Sequence, residues 1–221
     1  MATAPERLSD EELVNLLELA RKSDSVELKL TVPASDHRAA ISELGLEVET
    51  VETSVVDRSN RAELLGNLNP GLRVPTVVLD DGRPLAESNA ILWYFGDGTA
   101  YVPEDPYERA QVLQWQFFEQ YSHEPNIAVA RFWLAYSGTP ERFEAELPSR
   151  MKAGYAALDA MERHLDGRAF FVGDRYSLAD ISLYAYTHVA HEGGFDLDPY
   201  PAIRGWLERV VAQPGHVPID A

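Results

Sequence analysis

The stretch most informative about the fold is NPGLRVPTVVLDDGRPLAESNAILWYF, residues Asn69–Phe95. Its pattern predicts a loop, a strand, a tight turn, a short return strand and a helix. Thr76–Leu79 is a run of β-branched and apolar residues, too short for a buried helix and suited to an interior strand. Asp80–Gly82 predicts a hairpin turn, because Asp and Gly tolerate the positive φ that such turns need. A return strand is expected to start at Leu85-Ala86, and a helix to follow with Ser88 as its N-cap.

Two features of this stretch could contribute to a binding site. The Val74-Pro75 bond stands at a strand entry, where a cis isomer would turn the N–H and C=O of Val74 toward a ligand. Glu87-Ser88 stands at a helix start, where the first amides and the helix dipole favour an anion and Ser88 adds a hydroxyl donor. Ile91 cannot close a capping box over those amides, so an external carboxylate could bind there. The alternative interpretation is an ordinary trans strand edge and an ordinary helix cap.

Composition restricts the class of protein. A chain of 221 residues suits two modest domains. A formal net charge of −17 argues against nucleic-acid binding, which needs a basic surface. The chain has no cysteine, so a thiol reaction must use a thiol that a ligand supplies. No run approaches the length of a membrane span and no signal peptide is visible, so we expect a cytoplasmic protein with neither membrane nor nucleic acid as a partner.

The first half of the chain is predicted to have the element order β-α-β-α-β-β-α, after a leading helix at Ser9–Ser23 that has its own capping box. This is the order of a thioredoxin fold. The further elements are a strand at Val26–Val32, a short helix over His37–Leu44, a strand at Glu47–Val56 and a short helix near Arg61–Leu68, followed by the hairpin and helix described above.

The second half is predicted to be all-helical after a linker at Gly96–Pro106. Four helices are expected. The first spans Tyr107–Tyr136 and is broken or kinked at Pro125, and the second spans Glu141–Leu165 and is bent at Pro148. The third has Ser177 as its cap, with an acidic residue three positions later, and the last spans Tyr200–Val211. Trp115, Phe117 and Phe118 are expected in the core. His188, His191 and Glu192 have a spacing compatible with a metal, but we interpret them as a structural polar cluster and predict no metal.

Several of these motifs stand in the order seen in one family. Asn69-Pro70, Val74-Pro75, Asp80–Gly82 and Glu87–Ile91 resemble the landmarks of the glutathione-binding domain of glutathione S-transferases. Leu178–Tyr184 resembles the buried N-capping motif of their C-terminal domain. The resemblance runs from about Glu47 to the C-terminus. It implies an α/β thioredoxin-like N-terminal domain followed by an all-α helical-bundle C-terminal domain. We expect the glutathione-binding domain at 25–98, a linker at 99–106 and the helical domain at 107–221, preceded by an extra helix at 1–24 that the family pattern lacks.

The resemblance also implies a function, a transferase of the detoxification type that adds the glutathione thiolate to a small hydrophobic electrophile. Glutathione would be the cosubstrate and the protein a homodimer. The Val74 backbone, beside Pro75, would pair with the cysteinyl amide of glutathione, Glu87 and Ser88 would hold the γ-glutamyl end, and Arg73 is a candidate for the glycine carboxylate. Tyr121, Arg131 and Trp133 could line the electrophile pocket.

The first segment departs from the family pattern, which usually places a Ser-Gly-Asn loop and a Tyr-Lys-Val-Arg helix there. Ser35 is the candidate for the catalytic hydroxyl that stabilises the thiolate, with Thr31 less well placed; Ser35 is equally interpretable as a helix cap. Residues 9–44 weakly resemble the opening of actinobacterial CYTH domains, which handle triphosphates. Because the usual Ser-Gly-Asn loop and Tyr-Lys-Val-Arg helix are missing, the alternative function is a catalytically weak, glutathione-transferase-like binding or interaction scaffold.

Overall fold

The computed structural model describes residues 60–214 and residue 216. The chain divides into two compact units, with the boundary between Ile91 and Leu92, and the second unit ends at His216. The predictions made for residues 1–59 lie outside the described residues. These are the helices at Ser9–Ser23 and His37–Leu44, the strands at Val26–Val32 and Glu47–Val56, and the candidate hydroxyls of Ser35 and Thr31.

The described part of the first unit contains a short helix and a hairpin. Helix α1 spans Arg61–Leu65, shorter than the predicted range to Leu68. Strands β1 (Thr76–Val78) and β2 (Pro84–Ala86) are antiparallel, with Thr76 opposite Ala86 and Val78 opposite Pro84. The predicted turn is confirmed, since Gly82 has a φ of +82° and its N–H donates to Leu79 O over 2.8 Å. Leu79 belongs to that turn rather than to the strand.

The helix after the hairpin, α2, spans Ser88–Gly96 and corrects the predicted cap. The N–H of Ile91 donates to Glu87 O over 2.9 Å, so the carbonyl of Glu87 accepts the first intrahelical bond. Glu87 has a φ of +70° and lies outside the helix. Glu87 is therefore the N-cap, and Ser88, predicted as the cap, is the first helical residue.

The second unit begins its main helices at α3, Pro106–Phe118. Its cap is Asp105, whose Oδ1 accepts bonds of 3.0 Å from the N–H groups of Tyr107 and Glu108. A π-helical turn at Glu119–His123 then leads into α4, Glu124–Arg131, and a second π-helical turn follows at Phe132–Tyr136. The predicted break near Pro125 is confirmed, because a proline has no N–H to continue the ladder of the preceding turn.

A 3₁₀ turn at Pro140–Phe143 precedes helix α5, Leu147–Leu165. The prediction of one helix from Glu141, bent at Pro148, is wrong: Pro148 lies in the first turn of α5, where a missing N–H costs nothing. Helix α6 spans Leu178–Thr187, a 3₁₀ turn spans Ala190–Gly193, and the final predicted helix is confirmed as α7, Pro201–Val211. In the part of the chain that the structure describes, no helix is long and apolar enough to cross a membrane.

The helical unit is built around one apolar core. Its largest fully buried side chains include Trp206, Phe171, Phe195, Ile127, Leu158, Met161 and Leu183. Trp115 is buried and Phe118 packs edge-on against it at 5.1 Å, as predicted. Phe117, predicted in the core, is 67% exposed, because α3 turns the face of Val112, Trp115 and Gln116 inward and leaves Phe117 on the opposite side.

The start of α6 is closed by the chain itself. One oxygen of Asp180 accepts 2.9 Å bonds from both the N–H and the hydroxyl of Ser177, which completes the predicted capping box. The other oxygen accepts from the N–H of Phe171 over 3.1 Å and from the indole of Trp206 over 2.9 Å. Asp180 is fully buried. Burial raises the pKa of its carboxyl above the ordinary value, although the four donated hydrogen bonds act to lower that pKa.

Candidate functional site

The predicted binding residues of the first unit meet at one end of the hairpin. The strands are antiparallel and Thr76 pairs with Ala86, so the residues before Thr76 and those after Ala86 leave the sheet at the same end. Arg73, Val74 and Pro75 enter the sheet there, and Glu87 and Ser88 depart from it. The hairpin register therefore brings together five residues that lie up to 15 positions apart in the sequence.

The backbone of Val74 is a free edge within the described residues. The Val74–Pro75 peptide is cis, one of the two isomers that the sequence left open. Neither the N–H nor the C=O of Val74 has a hydrogen-bond partner among the residues that the structure describes. Both groups are available to pair with an extended peptide-like ligand.

The loop before Val74 is held by Asn69, which the sequence reasoning noted only as part of a landmark. The side chain of Asn69 is 7% exposed. Its amide donates to Arg73 O over 2.9 Å and to Thr76 Oγ1 over 3.1 Å, and its carbonyl accepts from the N–H of Gly71 over 2.9 Å. The signal that was available is Asn-Pro-Gly, a sequence typical of a turn closed by an Asn side chain.

The helix start at the same end presents polar groups that have no partner among residues 60–214 and 216. Ser88 is buried, and across residues 60–214 and 216 its hydroxyl has no hydrogen-bond partner. The carboxylate of Glu87 and the guanidinium of Arg73 are exposed and likewise have no described partner. The first-turn amides and the Ser88 hydroxyl suit a carboxylate, Arg73 suits a second carboxylate, and Glu87 suits an ammonium.

The residues of the helical unit that were predicted to line the electrophile pocket differ from one another in exposure and in contacts. Tyr121 is 87% exposed, in the π-helical turn after α3. Trp133 stacks on Phe143 with ring centroids 4.7 Å apart, and the guanidinium of Arg150 lies 5.8 Å from the Trp133 ring. The Trp133 ring is thus occupied by contacts with Phe143 and Arg150, whereas Tyr121 projects into solvent.

Arg131 is engaged in a polar network. Its Nε donates to Glu192 Oε2 over 2.8 Å and its Nη2 donates to the Tyr136 hydroxyl over 2.8 Å. The Tyr136 hydroxyl in turn donates to Glu192 over 3.1 Å. Burial acts to raise the pKa of Glu192, but the bond and charge of Arg131 outweigh it and hold that pKa below its ordinary value. Arg131 is therefore neutralised by Glu192 and fixes the second π-helical turn.

Of the polar residues His188, His191 and Glu192, the first and the last make side-chain contacts within the helical unit, and His191 is exposed. Glu192 pairs with Arg131, and His188 stacks on Tyr184 at 4.4 Å with its Nδ1 2.7 Å from Tyr184 O. Among the described residues, no group of three or more His, Cys, Asp or Glu side chains is arranged to hold a metal ion. These contacts favour a structural role for His188 and Glu192.

A cavity of about 670 Å³ lies within the helical unit, beside the segment that precedes α3. Its walls include the carboxylates of Glu104, Asp105 and Glu108 and one guanidinium, Arg175, which is paired with Glu108 over 2.9 Å. None of the predicted pocket residues lines it. An excess of carboxylates disfavours an anionic ligand there, so we assign the candidate site to the hairpin end.

Both halves of the chain are similar to known proteins. Residues 37–97 match the family described as glutathione S-transferase, N-terminal domain, and residues 126–214 match its C-terminal domain. A glutathione S-transferase structure from Pseudomonas fluorescens is 49% identical, covers 82% of this chain and 90% of its own, and has a TM-score of 0.77. The glutathione S-transferase-like protein LUC7 of a Fusarium species is 30% identical over 78% of this chain and 81% of its own.

A third comparison concerns the fold. A glutathione transferase from Burkholderia graminis is 24% identical, covers 85% of this chain and 80% of its own, and has a TM-score of 0.64; its structure holds two glutathione molecules per subunit. The predicted fold class, a thioredoxin-like N-terminal domain followed by an all-helical C-terminal domain, is confirmed by these matches. With close transferase relatives over most of its length, the chain belongs to the glutathione S-transferase family.

Proposed function

We propose that this protein binds glutathione at the hairpin end and adds the glutathione thiolate to a small hydrophobic electrophile. The observation that carries the proposal is the meeting of the Val74 backbone, which has no partner in the described part of the chain, with the polar groups of Arg73, Glu87 and Ser88 at one end of the β1–β2 pair. Glutathione is an extended peptide with two carboxylates, one ammonium and two amides, one on each side of its cysteine. The functional groups of glutathione are therefore chemically complementary to the polar and backbone groups of Arg73, Val74, Glu87 and Ser88.

Each end of the ligand has a candidate partner. The γ-glutamyl carboxylate would accept bonds from the first turn of α2 and from the Ser88 hydroxyl, where the helix dipole also favours an anion. Its ammonium would pair with Glu87. The cysteinyl amide would pair with the N–H and C=O of Val74, and the glycine carboxylate with Arg73. This assignment fixes the direction of the bound peptide.

The thiol must be activated by a group other than a cysteine of the chain. A donor that lowers the thiol pKa by two units supplies about 2.7 kcal/mol and raises the thiolate fraction at neutral pH. Our candidate is the hydroxyl of Ser35. In the reaction the thiol proton passes to solvent and a sulfur electron pair forms the new S–C bond. The bond from that carbon to the leaving group breaks, and its electron pair departs with the leaving group.

The test is calorimetric titration with glutathione and, in the same preparation, turnover of 1-chloro-2,4-dinitrobenzene. We expect binding and turnover, and we expect Ser35→Ala to lower kcat at least about tenfold while glutathione affinity stays nearly unchanged. Unchanged turnover in Ser35→Ala would remove Ser35 from its role. Absence of glutathione binding by the unmodified protein would contradict the proposed function itself.

The second candidate function is a scaffold that binds glutathione or a protein and catalyses poorly. It is favoured by the sequence of the first segment, which lacks the Ser-Gly-Asn loop and Tyr-Lys-Val-Arg helix of the family pattern. Binding without turnover in the titrated sample would select this function over the transferase.

We also propose that two copies form a homodimer. The support is an exposed aromatic strip on α3 and the π-helical turn after it: Tyr107 is 72%, Phe117 67% and Tyr121 87% exposed. Phe117 and Tyr121 are four residues apart and share one face. Sedimentation should show a dimer for the unmodified protein and a weaker dimer for Phe117→Ser. The domain boundaries given above, a cytoplasmic location and a role in detoxification complete the proposal.

A further inference from the structure

The carbonyl of Arg73 is the most heavily bonded backbone group in the loop before the hairpin. It accepts from the amide of Asn69 over 2.9 Å and from the Thr76 hydroxyl over 2.9 Å. The Asn69 amide also lies 3.1 Å from that hydroxyl, so the three groups form a closed triangle. We call Asn69, Arg73 O and Thr76 the Asn69 triangle. It joins residues seven positions apart in the sequence and fixes the chain just before the cis peptide.

The direction of the Val74 N–H follows from this triangle. Arg73 C=O and Val74 N–H belong to one planar peptide unit, and that peptide is trans. In a trans peptide the C=O and N–H point to opposite sides, so two donors holding the carbonyl also fix the direction of the amide. The Val74 N–H must point away from Asn69 and Thr76, and it has no partner in the described part of the chain.

The triangle is itself anchored on both sides. Asn69 Oδ1 accepts from the N–H of Gly71, and a side chain added at Gly71 would come within 3.2 Å of that oxygen. On the other side, Nη1 of Arg61, which is 7% exposed, lies 3.4 Å from Leu72 O. Asn69 therefore cannot rotate its amide without losing three bonds at once, and a buried amide that loses its partners is costly.

We propose that Asn69 is a positioning residue for the thiol substrate: through Arg73 O it orients the Val74 N–H that receives the cysteinyl part of glutathione. This inference rests on the proposed function of the same hairpin end. Asn69 does not touch the ligand in this account. Its effect is on how well the peptide of glutathione is held, and therefore on KM for glutathione, with little effect on the chemical step at saturation.

The experiment compares Asn69→Asp, Thr76→Val and Thr76→Ser with the unmodified protein. Asn69→Asp keeps the oxygen that accepts from Gly71 but replaces the donor to Arg73 O by a second oxygen. We expect KM and Kd for glutathione to rise about tenfold, with kcat at saturating glutathione within about twofold. Thr76→Val removes the other donor and should act in the same direction, while Thr76→Ser keeps the hydroxyl and should restore the affinity.

The matched control is Asn126→Asp in the helical unit. Asn126 is 9% exposed and also donates its amide to a backbone carbonyl, Ser122 O, over 2.7 Å. This control should lower thermal stability without raising KM for glutathione. The proposal is overturned if Asn69→Asp leaves KM unchanged, or if it lowers kcat and stability with no selective change in KM. If the unmodified protein fails to bind glutathione, the proposed function fails; if it binds and Asn69→Asp binds equally well, only the positioning role fails.

Discussion

Two helix starts in this protein each carry a serine, at the N-cap of α6 and at the first helical position of α2, and the two serines are used in opposite ways. At α6 the hydroxyl and N–H of Ser177 are both taken by Asp180, which is fully buried and also receives bonds from Phe171 and Trp206. At α2 the hydroxyl of Ser88 has no partner among the described residues. A helix start that the chain closes stabilises the fold, and one that the chain leaves open can receive a ligand.

The largest effect should come from opening the closed start. Asp180→Ala would leave four buried donors without an acceptor, and we expect the free energy of unfolding to fall by roughly 3–5 kcal/mol. Denaturant titration followed by tryptophan fluorescence measures this. A loss below about 1 kcal/mol would show that water replaces the carboxylate easily and that the closed start is not a structural anchor.

Replacing the two serines in parallel separates the two uses. Ser88→Ala should weaken glutathione binding about tenfold or more, because a hydroxyl bond to a carboxylate is lost, and it should leave the free energy of unfolding nearly unchanged. Ser177→Ala should do the reverse, lowering that free energy by about 1 kcal/mol without changing the affinity. Calorimetry and denaturant unfolding on both variants check the pair. Equal effects of the two variants on either quantity would abolish the distinction.

The open start can also be closed by design. Ala90 is exposed three residues after Glu87, the N-cap, so Ala90→Glu supplies the acid that a capping box uses. This internal carboxylate should compete with that of the ligand and lower glutathione affinity about two- to fivefold. Ala90→Gln, which has the same shape without the charge, is the control. An unchanged affinity in Ala90→Glu would argue that no anion binds there.

The smallest expected difference is in the response to pH. His164 in α5 donates to Phe171 O over 2.9 Å, and burial lowers its pKa below the ordinary 6.5. As the pH falls, His164 is protonated at a higher pH in the unfolded chain than in the folded one. Its contribution to stability is therefore fully present above pH 6.5 and is lost as the pH decreases below that value. Residues 60–91 contain no histidine. Unfolding midpoints between pH 8 and 5 should decline, and the decline should be weaker in His164→Gln; an identical decline in both would assign the effect to another group.

The sequence predicted the hairpin, the capping box at Ser177 and the final helix, because each depends on neighbours within a few residues. It placed Phe117 in the core wrongly, since the inward face of α3 is chosen by packing with other helices. It placed the cap at Ser88 rather than Glu87, because a positive φ at a non-glycine residue is set by the turn from β2 into α2. The role of Asn69 depends on the distances from its amide to Arg73 O and Thr76 Oγ1, and a pattern of residue types does not contain those distances.

The most direct test of the account is a titration of the unmodified protein and Ser88→Ala with glutathione and with cysteinylglycine, which lacks the γ-glutamyl group. The open start of α2 is the proposed partner of the γ-glutamyl carboxylate. We therefore expect Ser88→Ala to bind glutathione about tenfold more weakly and to bind cysteinylglycine as the unmodified protein does. An equal loss for both ligands, or no loss for glutathione, would contradict the assignment of that helix start as the ligand site.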